Sequence, residues 1–264
     1  MTLDRIAAQG LVLLGCGKMG SALLAGWLEG GLAPGAVHVR DPAPSDWLQA
    51  QSVVLNGDLP SAPAVTLIAV KPQMMGDALP ALRDLSDTLF VSIAAGTPIA
   101  AFEAVFGMDA RIVRAMPNTP ASVAAGITAI VGNAAATGAD IELAEMLLSA
   151  VGEVVQLSDE DQMDAVTGLS GSGPAYVFHM IEALTEAGVT EGLTPDLALQ
   201  LARATVAGAG KLAMTGEDPG QLRQNVTSPN GTTQAGLEVL MPELPDLMRR
   251  TVAAAADRSR ELRG

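Results

Sequence analysis

The chain has 264 residues, 49% of them apolar, and a formal net charge of −14, which fits one large or two smaller folded domains and excludes wholesale disorder. One Cys and two His exclude a disulfide framework, a Cys-based zinc site and a three-His metal site, so no metal is expected. The charges form no basic block, no apolar run of about 18 residues occurs, and the N-terminus lacks a secretory pattern; the expectation is a cytoplasmic protein with neither nucleic acid nor membrane as partner.

Residues 11–15 form an apolar run ending in glycine, the pattern of a buried strand. Residues 18–30 read as a helix. Further short strands are expected at 37–39, 65–70, 89–93, 111–114, 126–131 and 153–157. Continuous apolar runs separated by helical segments predict an α/β fold, a doubly wound and mostly parallel sheet over residues 1–160. The strand signals then stop. Val177, Ile181 and Leu184 recur at helical spacing within 175–188. Thr194 and Pro195 open a second helix over 195–214, which carries Leu197, Leu201 and Ala204. A third helix is expected at 232–241, interrupted by Pro242 and Pro245 and resumed at 246–262. Residues 161–264 therefore read as an all-helical domain, with a hinge at 168–174.

Gly15-Cys16-Gly17-Lys18-Met19-Gly20, led in by Leu14, fits G-x-G-x-x-G between a strand and a helix. The first glycine permits the tight turn, the second lets a pyrophosphate approach the backbone, and the third lets the helix pack on the strand. The helix start then offers free N–H groups to the phosphates. No Gly-Lys-Ser/Thr ending is present, so the loop is not a P-loop. The second strand ends in Arg40-Asp41. An acid there binds the ribose hydroxyls of NAD, and an arginine accepts the extra phosphate of NADP, so the coenzyme stays open between NADPH and NADH. Cys16 reads as a small buried residue facing the cofactor, and His38 and His179 as structural. The segments 169–176 and 227–233 each precede a helix. The second offers hydroxyls and helix-start N–H groups, a site for a carboxylate without a basic side chain.

These motifs, with Ala69-Val70-Lys71-Pro72, Ser92-Ile-Ala-Ala-Gly96 and Arg114-Ala-Met-Pro-Asn-Thr-Pro120, resemble the pyrroline-5-carboxylate reductase family in content and order. The resemblance covers nearly the whole chain. It implies an N-terminal Rossmann domain, a C-terminal helical dimerisation domain, and a homodimer that in many members assembles into a decamer. It implies a small-molecule substrate held between the nicotinamide and helical segments contributed with a partner subunit. By residue, it places Asn56 near the adenosine, and Ala69, Val70, Lys71 and Pro72 with Ala94, Ala95 and Gly96 along the rest of the cofactor. It gives the substrate to Ser228, Gly231, Thr232 and Thr233, with Thr233 hydrogen-bonded to the ring nitrogen. Lys71 either pairs with the cofactor or supports its loop.

The implied reaction is hydride transfer to a cyclic imine, giving L-proline. An imine can be protonated before the hydride arrives, so a strong general acid is optional. The backbone N–H groups of Gly231, Thr232 and Thr233 are expected to bind the carboxylate. Thr233 is expected to orient the nitrogen. The nearest rival is another reductase with the same domain pair, a stereoselective imine reductase or a deazaflavin-dependent reductase of NADP; a nucleotide-sensing protein without catalysis and a mainly structural oligomer are rivals of other classes.

Overall fold

The structure, a computed structural model, describes residues 2–262. Its eight strands are β1 (Leu11–Leu14), β2 (Val37–Arg40), β3 (Val54–Leu55), β4 (Val65–Ile68), β5 (Leu89–Ser92), β6 (Arg111–Met116), β7 (Gly126–Gly132) and β8 (Gly152–Gln156). They form one sheet in the order β3-β2-β1-β4-β5-β6-β7-β8. Neighbours are parallel except β6 and β7. The order reverses between β1 and β4, where Leu11 pairs with both Val37 and Val65. A crevice opens at such a switch point, outside the carboxyl ends of the strands.

The helices beside the sheet are α1 (Thr2–Gln9), α2 (Lys18–Glu29), α3 (Asp46–Gln49), α4 (Met75–Ala78), α5 (Ile99–Phe106), α6 (Gly138–Leu148) and α7 (Met163–Val166). Both faces of the central strands are covered, which is why they read as unbroken apolar runs. Leu11, Leu13, Val65, Leu67 and Val91 pack with Leu23, Leu24 and Trp27 of α2 and Leu143 and Leu147 of α6. Val12, Leu14, Ile68, Phe90 and Ile112 pack on the other face with Ile99 and Phe102 of α5. Trp27 Nε1 donates to the Leu147 carbonyl at 2.8 Å, so the indole buried between α2 and α6 keeps its hydrogen bond.

The chain divides into two compact units. One runs to Gly171 and takes in the chain again from Ala255; the other is Ser172–Ala254. The second holds α8 (Gly173–Thr190), α9 (Pro195–Ala213), α10 (Pro219–Asn225) and most of α11 (Thr232–Leu262). Its core is thin. Ala198 and Ala202 are its buried residues, whereas Phe178, Leu184, Leu201, Leu212, Val239 and Leu240 are exposed.

The structure corrects one expectation here. Pro242 and Pro245 lie inside α11 and do not end it. Each removes one N–H from the helical ladder and frees a carbonyl one turn earlier. Both prolines are exposed, so water can take over the bonds of the freed carbonyls.

Candidate functional site

The glycine loop follows β1 at the switch point. Gly15 has φ +88°, which excludes most side chains, and its N–H donates to the Arg40 carbonyl at 2.8 Å. A Cβ on Gly20 would lie 2.5 Å from the Gly15 carbonyl oxygen, so α2 can pack this closely on the turn only with glycine there. A Cβ on Gly17 would meet nothing within 4 Å. Gly17 is therefore bare on the side open to a ligand, as a dinucleotide pyrophosphate requires. Gly15, Cys16, Gly17, Lys18, Asp41, Ala69, Val70 and Lys71 line a cleft of about 500 Å³. Lys18 and Lys71 are its cations.

Asp41 braces the loop. Its Oδ2 accepts the Cys16 N–H at 2.7 Å and its Oδ1 accepts the Ala43 N–H at 2.8 Å. Asn56 clasps the backbone of Asp41, accepting its N–H at 3.0 Å and donating to its carbonyl at 2.8 Å. Asn56 holds φ +52°, a left-handed conformation that Asn tolerates better than most residues. Arg40 turns the same way and donates from Nη1 to the Asn56 carbonyl at 3.3 Å. The Cys16 N–H is thus already engaged, and the N–H groups of Gly17, Lys18, Met19 and Gly20 at the start of α2 are left for phosphate, the first helical bond running from Ser21 to Gly17.

Burial pushes the Cys16 thiol above its ordinary pKa; a hydrogen bond with Ser21 works against the rise, and the Asp41 charge adds to it. The thiol is neutral at physiological pH and is no nucleophile. His38 contacts the Asp58 carbonyl and His179 pairs with Glu182, so neither belongs to the cleft.

The remaining expected cofactor residues take different places. Leu14 is buried beneath the loop in the core. Pro72 starts a 3-10 turn capped by Lys71. Ala94, Ala95 and Gly96 form a separate turn after β5, outside the cleft lining. Ala94 is buried in the core, Ala95 is exposed, and Gly96 has φ +73°.

In the helical unit, Ser228, Gly231, Thr232 and Thr233 gather at the start of α11. Asn230 at φ +57° closes the turn, and Asn230 N–H donates to Gln234 Oε1 at 2.8 Å. The expectation that Gly231 offers its N–H to a carboxylate fails, because that N–H donates to the Ser228 carbonyl at 3.0 Å. The tight turn has taken that donor. A Cβ on Gly231 would stand 2.5 Å from Ser228 Oγ and 3.0 Å from the Ser228 carbonyl oxygen, so a larger residue there would have to displace the Ser228 hydroxyl. The free donors are the N–H groups of Thr232, Thr233 and Gln234 in the first turn of α11, beside the exposed threonine hydroxyls; the first helical bond runs from the Ala235 N–H to the Gly231 carbonyl.

Two features escaped the sequence. A π-helical turn, Thr167–Gly171, precedes α8, with Ser170 Oγ accepting from Asn118 Nδ2 at 3.3 Å. Arg114 is fully buried and pairs with Glu160. Asn118 and Arg114 both lie in the Arg114-Ala-Met-Pro-Asn-Thr-Pro120 motif, and that membership is the only signal the sequence carries for them.

Comparison with known proteins agrees with this layout. The family described as "Pyrroline-5-carboxylate reductase dimerisation" matches residues 160–262. That described as "NADP oxidoreductase coenzyme F420-dependent" matches residues 10–96. The pyrroline-5-carboxylate reductase of Pseudomonas aeruginosa is 37% identical, covering 96% of this chain and 96% of that protein. That of Synechocystis is 42% identical, covering 96% and 97%. The structure of a pyrroline-5-carboxylate reductase from Coxiella burnetii superposes with a TM-score of 0.92 at 36% identity, covering 97% of this chain and 99% of that one. A Plasmodium falciparum pyrroline carboxylate reductase with NADP bound gives a TM-score of 0.84 at 29% identity, covering 98% and 99%. With relatives of this identity along almost its full length, the chain belongs to the pyrroline-5-carboxylate reductase family.

Proposed function

We propose that this chain reduces the cyclic imine 1-pyrroline-5-carboxylate to L-proline with NADH or NADPH, the last step of proline biosynthesis. The observation that carries the reading is the turn before α11. It closes on Asn230 and Gly231 and presents the first-turn N–H groups and the Thr233 hydroxyl. Such a site suits a small amino-acid carboxylate.

The bare Gly17 and the N–H groups of Gly17, Lys18 and Met19 fit the pyrophosphate, and Lys18 and Lys71 offset its charge. A bound reduced nicotinamide supplies the hydride. Thr232 and Thr233 hold the substrate carboxylate through their N–H groups. The Thr233 hydroxyl oxygen accepts the N–H of the protonated imine and orients the ring. The electrophile is already a cation, so the chain needs no strong acid at this point. Positioning of the kind these contacts provide can lower a barrier by about 7–11 kcal/mol.

The homodimer is the proposed active unit, with further assembly to a decamer. Supporting it, the helical unit leaves large apolar side chains such as Phe178 and Leu201 uncovered, and the matching family model describes dimerisation. We place the reaction in the cytoplasm, where a lone unpaired thiol such as Cys16 is at home. The test follows absorbance of NADH and NADPH separately as pyrroline-5-carboxylate is added. Loss of neither would sink the reading. Light scattering that returns the mass of one chain for an active sample would sink the dimer.

A further inference from the structure

The turn after β5 is held at three points. Ser92 Oγ accepts the Ala94 N–H at 3.3 Å. Gly96 lies against the end of α11, where an added Cβ would stand 3.6 Å from Leu262 Cβ. Glu160 Oε1 accepts the Ile99 N–H, on the first residue of α5, at 2.9 Å. The same oxygen receives Arg114 Nη1 at 2.5 Å. The Arg114 side chain is 1% exposed and that of Glu160 26%. Arg114 stands in register with Ser92 on the neighbouring strand. Both ends of the turn are thereby tied to one level of the sheet.

A buried guanidinium is a costly way to fill a core, and an apolar side chain of similar volume often packs there without loss of stability. The charge of Arg114 does something an apolar group cannot. It holds the Glu160 carboxylate as an acceptor over the first N–H of α5. The proposed chemistry uses neither residue directly. We propose that Arg114 and Glu160 are positioning residues that set the 94–98 turn against the cofactor through the Ile99 N–H. The inference rests on the reading of Ala94, Ala95 and Gly96 as cofactor-lining.

Positioning and mere structural support part company in two variants of the full chain. The double variant R114M/E160L replaces the pair by apolar groups and leaves the Ile99 N–H without its acceptor. It is expected to melt within a few degrees of wild type but to bind NADPH and NADH about tenfold more weakly, read by titration calorimetry. Glu160→Gln does the reverse. It keeps an oxygen for Ile99 and leaves the Arg114 charge poorly compensated, so it melts lower yet binds nucleotide within about threefold of wild type. If R114M/E160L does not fold, Glu160→Asp takes its place, since it keeps the charge and draws the oxygen back from Ile99. The same tenfold weakening is expected. Affinity that follows melting temperature through the set, or a double variant that binds like wild type, overturns the positioning role alone. A wild-type chain that binds neither nucleotide overturns the role together with the reading of the turn.

Discussion

Two alanine substitutions in the glycine loop separate packing from ligand space. Gly17 has φ −70° and ψ −161°, a backbone any residue adopts, and no atom lies within 4 Å of an added Cβ. Gly17→Ala should therefore leave the free protein melting within about 4 °C of wild type, because the unfolded-state gain of about 0.4–1 kcal/mol is opposed by the poorer N-cap that Ala makes for α2. The same methyl would project where the pyrophosphate must approach. Nucleotide affinity should fall at least about tenfold, or ~1.4 kcal/mol. Gly20→Ala behaves otherwise. Its Cβ would lie 2.5 Å from the Gly15 carbonyl oxygen, and backbone cannot swing aside as a flexible side chain can. Overpacking of this kind costs about 1–3 kcal/mol, a fall of roughly 2–12 °C. Melting curves of the free protein and nucleotide titrations read both effects. Wild-type affinity in a folded Gly17→Ala protein would refute the loop as the pyrophosphate site. Wild-type melting in Gly20→Ala would refute the packing argument.

Thr233→Ala should slow turnover about 10- to 100-fold, the loss of one transition-state hydrogen bond worth roughly 1.4–2.7 kcal/mol, with melting unchanged. Complete loss of activity in the folded variant would assign the hydroxyl a larger role than orientation. Cys16 titrates above its ordinary value of 9.0 in the fold, so the unfolded chain loses the proton first. Stability is then full below about pH 9 and declines as pH rises through the folded value, a decline Cys16→Ala should lack; melts of both proteins across that range decide it. The buried thiol should also resist iodoacetamide until the chain is denatured, and rapid labelling of the native protein would contradict its burial. Phe178→Asp, on the exposed flank of α8, should return the mass of one chain by light scattering and cost most of the activity while nucleotide still binds. An active dimer in that variant would move the interface elsewhere.

The sheet was legible because its strands are buried on both faces and carry unbroken apolar runs such as Val65–Ile68. β3 was not, since Val54–Leu55 is too short to make a pattern. The glycine loop was legible because its function depends on local backbone geometry. What occupies its N–H groups was not. Asp41 reaches back 25 residues to Cys16, and Asn56 clasps Asp41 from 15 residues ahead. No local periodicity encodes contacts of that separation. The Arg114–Glu160 pair, 46 residues apart, is hidden for the same reason. Pro242 and Pro245 misled in the opposite sense. Their local rule predicts a break, and exposure of that stretch of α11 removes most of its cost.

The acidic balance of the chain bears on how it handles two anions. A net charge of −14 repels a dinucleotide and a carboxylate at long range. At cellular salt that repulsion is screened beyond about 8 Å, so affinity is decided by groups in contact with the ligand. The two sites differ in what they offer there. The nucleotide cleft adds Lys18 and Lys71 to the helix-start N–H groups, which matches a ligand of higher charge. The turn before α11, the proposed carboxylate site, offers first-turn N–H groups and hydroxyls. A basic side chain there would bind the carboxylate more strongly, but it would stand beside an iminium cation and oppose the protonated form on which the reaction depends. On the proposed reading, backbone dipoles would hold the carboxylate without placing a full positive charge next to the ring nitrogen. A carboxylate site built from helix-start N–H groups and hydroxyls, as proposed, is compatible with a substrate that reacts as an iminium cation.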